Sequence, residues 1–282
     1  MWDITVGVVA PAYVNVPFWV ARQRGLLEAR GLRAREAIIG STEGVTRALL
    51  AGDIDIGLSS PEGSITDAAA GGPLRVVAGM IDRPPLSLIA LPRHRTFEDL
   101  RGGQLGTSSL REGTRHVAER LLAAHGLRFP ADYGFAIEGS HVARWEALRA
   151  GTIDAALQMI PYDYLAADAG FTNLGAVTED FAFSGACASD DTDRGMLTDF
   201  LGCLAEATAW FRGNVAESAA IAAAQTSVAE PYALRACQAL AADGVLSAGL
   251  RFGTAAVDAV MRSLLSSGQR ADKLAFDYSC LS

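Results

Sequence analysis

Short polar clusters interrupt an otherwise apolar chain, and each stands where a strand runs out or a helix begins. They are Tyr13 and Asn15 in "PAYVN", Ser41-Thr42, then Ser59, Ser60 and Glu62 in "SSPEG", Ser108, Ser109, Arg111 and Thr114 in "SSLREGT", Ser140-His141, and Gln158, Tyr162 and Tyr164 in "QMIPYDY". Hydroxyls and free N–H groups at helix starts, with the positive end of the helix dipole behind them, suit a carboxylate, sulfonate or phosphate. Arg111 adds a guanidinium that can grip an anion through two parallel hydrogen bonds. The tyrosines can stack on a ring or donate a hydroxyl. Glu62 can accept from a ligand amine or complement the dipole of the next helix. His141 at a helix mouth can touch ligand or act as a base, and if the chain is an enzyme then His141, Glu62 and Tyr162 are its proton-transfer set. Each has a plain structural alternative: Ser41, Ser109 and Ser140 as helix caps, Arg111 and His141 as solvated side chains.

The elements that must position these residues contain an internal repeat. "GSTEGVTRALLAGDIDIGL" (residues 40–58) returns as "GSHVARWEALRAGTIDAAL" (residues 139–157) without a gap. Each copy opens with a serine suited to cap a helix, carries Ala and Leu on one face, stops at Gly52 or Gly151, and enters a short apolar strand containing Ile54-Asp55 or Ile153-Asp154. Two such units about a hundred residues apart imply two lobes of similar build. In open α/β sheets ligands sit beyond the carboxyl ends of the strands, where the polar clusters fall.

Composition narrows the partners. The chain has 282 residues, half of them hydrophobic, and a net charge of −8, with Lys273 the single lysine among 24 basic residues. Nucleic acid is therefore not an expected partner. No apolar run is long enough to cross a bilayer. Cys187, Cys203, Cys237 and Cys280 are widely spaced and fit no zinc pattern, so free structural thiols are expected and neither metal nor cofactor is called for. Phosphate-loop, dinucleotide, H-E-x-x-H and G-x-S-x-G signatures are all lacking. The start, "MWDITVGVV", reads as a strand without the charged and apolar regions of an export signal. The expectation is a cytoplasmic chain as written, or a periplasmic one if a leader has been removed.

Strand and helix patterns alternate to about residue 189, after which residues 192–268 read as Ala/Leu-rich helix. "VPFWVARQRGLLEARG" reads as one helix ending at Gly31. The simplest assembly places residues 1–84 and 183–282 in lobe one and 85–182 in lobe two, with crossovers near Arg83-Pro84-Pro85 and Ala182-Phe183-Ser184.

"PFWVARQRGLLEARGL", "GSTEGVTRALLAGDIDIGLSS", "FEDLRGGQLGTSSLREGTRHVAERLLAAHGL" and "EGSHVARWEALRAGTIDAAL" follow in the order that resembles the SsuA/THI5-like (NMT1-like) group of type II periplasmic solute-binding proteins. The resemblance implies a two-lobed α/β clamshell, each lobe a mostly parallel sheet flanked by helices, with a small organic anion or heterocycle held in a cleft between the lobes. It also implies an ABC permease as partner. The alternative it carries is a cytoplasmic enzyme on the same scaffold, a decarboxylase or another proton-transfer or lyase activity. No cysteine near the first strand loop and no iron-binding cysteine run supports the desulfinase or pyrimidine-synthase versions.

Overall fold

The computed structural model describes residues 1–111 and 113–281; Glu112, inside the "SSLREGT" cluster, lies outside the described residues. The chain divides into two compact units, the first formed by Met1–Arg83 with Asp180–Ser282 and the second by Pro84–Glu179.

In the first unit the order is β1 (Trp2–Val8), α1 (Val16–Gln23), α2 (Leu26–Ala29), β2 (Leu32–Ile38), α3 (Thr42–Ala51), β3 (Ile56–Ser59), α4 (Glu62–Ala69) and β4 (Leu74–Ile81). The second unit adds β5 (Leu86–Ala90), β6 (Gln104–Thr107), α5 (Thr114–Ala124), β7 (Gly134–Ile137), α6 (His141–Ala150), β8 (Ala155–Met159), α7 (Tyr162–Asp168) and β9 (Thr172–Ala176). The chain then returns to the first unit with β10 (Ser184–Ser189) and the helices α8 (Arg194–Gly213), α9 (Val215–Thr226), α10 (Glu230–Ala241) and α11 (Thr254–Ser266). The stretch expected as one helix to Gly31 is two, because Gly25 takes a left-handed conformation (φ 67°) that breaks the first and starts the second.

Each unit holds a five-stranded sheet, ordered β2-β1-β3-β10-β4 in the first and β7-β6-β8-β5-β9 in the second. Both are mixed: β1 pairs parallel with β2 and β3, and β6 with β7 and β8, whereas β10 and β5 run antiparallel to both their neighbours. The reason is where the chain enters. β5 and β10 follow the crossovers, which reach each sheet at its carboxyl edge, so these strands run back against the others.

The repeat is reproduced atom by atom. Ser41 Oγ accepts from Gly44 N–H (3.0 Å) and Ser140 Oγ from Ala143 N–H (3.4 Å), and each helix stops at a left-handed glycine, Gly52 (φ 73°) or Gly151 (φ 71°). Asp55 Oδ2 accepts from the backbone of Thr5 (2.7 Å) and Asp154 Oδ2 from that of Gln104 (2.8 Å), so each carboxylate fixes the register of the neighbouring strand. At the same spacing Gly7 and Gly106 make room for Ile54 and Ile153: a Cβ on either glycine would come within 2.4 Å or 2.6 Å of the isoleucine Cδ1. The four cysteines are buried and none is in a disulfide, and burial pushes the Cys237 thiol up to about 12.

Asp154 also accepts from Arg93 Nη2 (2.6 Å) and lies 2.9 Å from His94 Nε2, contacts that Asp55 lacks among the described residues. Asp154→Ala should therefore cost about 1.5 to 3 kcal/mol in urea unfolding, the range for a hydrogen bond to a charged group, and Asp55→Ala less. Equal losses would mean that the register bond alone matters.

Candidate functional site

At the carboxyl edge of the first sheet, β1 leads through Ala10 to a single 3-10 turn at Tyr13–Asn15. Ile39 and Gly40 donate to the carbonyls of Val8 and Val9 (2.8 and 3.0 Å), which brings the start of α3 beside that loop. Ser59 lies opposite Gly185, so the end of β3, Ser60, Glu62 and Ser184 continue the same edge. Tyr13 is interior: its ring is buried and its hydroxyl lies 3.3 Å from Thr226 Oγ1 at the end of α9. Ser41 caps α3, and Ser59 Oγ donates to Ser60 O (3.3 Å). Glu62 is fully buried in the first turn of α4, where the Ser60 hydroxyl donates to its carboxylate and the helix dipole favours the charge. Asn15 Nδ2 donates to Ala10 O (3.2 Å), leaving Oδ1 without a partner, and Thr42 Oγ1 is likewise unpartnered.

At the carboxyl edge of the second sheet, Thr114 Oγ1 lies 3.3 Å from Thr107 Oγ1 and 3.5 Å from Ser108 Oγ. Ser109 Oγ accepts from the Arg111 backbone (2.9 Å), and His116 Nε2 lies 2.9 Å from Arg111 O, so the loop is held by its own helix while the Arg111 side chain is exposed. Ser140 caps α6. Gln158 is fully buried, its amide set so that the nitrogen faces His141 O (3.1 Å) and the oxygen the Trp145 N–H (3.1 Å), which binds β8 to the first turn of α6. Tyr162 meets His141 edge-on, with ring centroids 5.0 Å apart, and Tyr164 N–H donates to Asp163 Oδ1 (2.9 Å).

Sequence reasoning missed Arg144. It sits at the repeat position where the first copy has Val45, buried against β3 at Gly57, and it is itself buried, 3% exposed. Its guanidinium donates to Gly139 O (2.7 Å) and twice to Leu157 O (3.3 and 3.2 Å), beyond the point where β6 and β8 last pair, at Gly106 and Ala156. No carboxylate among the described residues pairs with it. Burial lowers its pKa to about 10, so it is charged at neutral pH. The gapless alignment held a signal: a fold that accepts valine at this position does not itself need an arginine. Ser184 was also passed over, since a serine opening an apolar strand carries no pattern.

Residues 14–182 match the family model described as NMT1/THI5 like. The chain belongs to the NMT1/THI5-like family. Among solved structures, the alkanesulfonate-binding protein SsuA from Xanthomonas axonopodis pv. citri, bound to MOPS, superposes with a TM-score of 0.79 at 19% identity over 98% of each chain. A ligand-binding component of an ABC-type import system from Staphylococcus aureus, with zinc bound, gives 0.82 at 13% identity over 100% of this chain and 99% of that one. The periplasmic aliphatic sulphonate-binding protein SsuA from Escherichia coli gives 0.73 at 18% identity, covering 97% and 91%. At these identities the likeness is one of fold, that of the periplasmic binding proteins. None of the curated proteins matches the chain.

In this NMT1/THI5-like chain His141 is 5% exposed, and burial, reinforced by the neighbouring Arg144 charge, pushes its pKa down to about 3. The imidazole is neutral at physiological pH and a weak base. The sign of the linked pH effect is fixed: between about 3 and the unfolded value near 6.5 the unfolded chain binds the extra proton, so the folded state weakens as pH falls through that window. At pH 5 the difference amounts to roughly 2 kcal/mol. His141→Gln should therefore lose less stability than the parent between pH 7.5 and 5, measured by urea unfolding; parallel losses would place the proton elsewhere.

Proposed function

We propose that this chain is a non-catalytic binding protein for a small organic anion and that it delivers its solute to an ABC-type importer, which makes the periplasm its natural location. Family membership and the fold shared with sulfonate-binding proteins support the class. The observation that carries the anion is Arg144. A cation buried in a protein costs several kcal/mol unless it is compensated, and among the described residues its hydrogen bonds go to two carbonyl oxygens alone. It lies in the first turn of α6, whose dipole also favours negative charge near that end. A bound sulfonate or carboxylate supplies the missing opposite charge. Arg111 and Ser108 on the loop after β6, with Thr114 at the start of α5, complete the set we assign to the anion in the second unit. The enzyme alternative finds little support in His141, whose low basicity suits a packed ring better than a proton acceptor.

A thermal-shift screen of sulfonates, aromatic carboxylates and pyrimidines tests the reading, because a ligand of the folded form raises the melting temperature. We expect sulfonates or carboxylates to stabilise the protein and to be recovered unchanged after incubation. Calorimetry on Arg144→Met, which keeps an unbranched apolar stem where the first unit has Val45, should then show affinity at least tenfold weaker, about 1.4 kcal/mol or more. Stabilisation by neutral ligands alone, or unchanged affinity in the variant, would overturn the assignment.

A further inference from the structure

The first unit has a groove of about 460 Å³ at the amino ends of β1 and β3, the edge opposite to Asn15 and Ser184. Its floor holds Ile4 and Ile54, each 4% exposed, and its rim carries Trp2 and Leu50, large apolar side chains left 47% and 50% exposed. Four aspartates line it, and among the described residues no lysine, arginine or histidine does. Two of the four are engaged: Asp3 pairs with Arg33 (3.2 Å), and Asp193 accepts from Met196 N–H (2.8 Å) to cap α8. Among the described residues Asp55 accepts only from the Thr5 backbone, and the Asp191 carboxylate has no partner.

The second unit shows what fills the equivalent place in the repeat. There Asp154, the counterpart of Asp55, accepts from Arg93 Nη2 (2.6 Å) and lies 2.9 Å from His94 Nε2. Both residues follow β5, the strand antiparallel to β8, and its counterpart in the first unit is β10, antiparallel to β3. Cys187 lies opposite Gly57 and Ile89 opposite Ala156, and Gly57 and Ala156 align in the repeat. Four residues further on, Asp191 stands where the second unit has Arg93, and Thr192 follows where it has His94. A cation that neutralises one carboxylate is thus exchanged for a second carboxylate. Two like charges at one groove repel each other, and a cation from outside relieves both. No three acidic, histidine or cysteine side chains among the described residues gather as metal ligands would, which leaves the neutralising charge to an organic cation.

We propose that this groove is an interaction surface for a partner protein, which inserts an arginine onto Asp55 and Asp191 as Arg93 is laid on Asp154 within the second unit. The planar guanidinium pairs with carboxylates through parallel hydrogen bonds, and its apolar stem covers Ile4 and Ile54. Trp2 offers a ring face to the same cation, and with Leu50 it receives the residues flanking the arginine. Large apolar side chains left exposed around a charged centre are what a protein partner covers and a small solute does not. The surface is separate from the anion site, and neither reading depends on the other.

The probe is the chain's own segment "LPRH", residues 91–94, as an acetylated and amidated peptide titrated into the full chain and followed by backbone amide NMR. Its controls are the same peptide with citrulline for arginine, which keeps the shape and loses the charge, and N-ethylguanidinium. Shifts should fall on residues 2–4, 50–55 and 191–193, and binding should be at least fivefold weaker for the citrulline peptide and for the arginine peptide with Asp191→Asn. Asp191→Arg, which restores the arrangement of the second unit, should abolish peptide binding and raise the melting temperature by about 2 °C or more. Absence of binding, equal affinity for the arginine and citrulline peptides, or unchanged affinity in Asp191→Asn would overturn the proposal. N-ethylguanidinium bound as tightly as the peptide would overturn the protein partner in favour of a small cation.

Discussion

Both sheets depend on one local device: an aspartate placed three residues beyond the glycine that ends a helix, whose carboxylate accepts the backbone N–H of the adjoining strand. Asp55 holds Thr5 and Asp154 holds Gln104 in this way. The bond sets the register of β1 against β3 and of β6 against β8. With register fixed, Gly7 and Gly106 come opposite Ile54 and Ile153, where only a residue without a side chain fits. A one-residue slip would reverse every side chain of the strand and destroy that fit. The carboxyl ends, the serine caps and the helix starts behind them are all placed as a consequence.

On this common frame the two units carry different chemistry. The position filled by Val45 in the first is filled by Arg144 in the second, so a buried apolar contact is replaced by a buried cation. The first unit instead gathers unpartnered oxygens and the carboxylate of Glu62 at its strand ends. Neither feature helps the fold, since unpaired polar atoms and an unneutralised charge both oppose it. Stability given up at particular places while the surrounding packing is regular is the usual mark of a binding site.

Much of this was legible in the sequence because the repeat is gapless and its punctuation is chemical: serine cap, glycine stop, strand. The two-lobed α/β class and the ligand-binding family could both be read there. The mixed character of the sheets could not, since strand direction for β5 and β10 follows from where the chain crosses, which no local pattern records. Several polar residues at strand ends turned out to be engaged in holding loops: Ser41, Ser109 and Ser140 bond backbone N–H groups, and Gln158 fastens α6. Residue type cannot separate these from Asn15 or Thr42, because the difference lies in whether a partner is within reach. Ser184 and Arg144 were hidden for the opposite reason, sitting in segments that read as core.

The central claim is that an anion binds at the carboxyl ends of the strands. A groove also exists at the opposite end of the first sheet, lined by Trp2, Leu50, Asp55 and Asp193 among others, and it is the natural competitor. Backbone hydrogen exchange measured with and without a saturating sulfonate distinguishes them most directly. Slowed exchange at the starts of α5 and α6, with the groove on the first sheet unchanged, is the result the account predicts; protection confined to residues 2–4, 50–55 and 191–196 would contradict it.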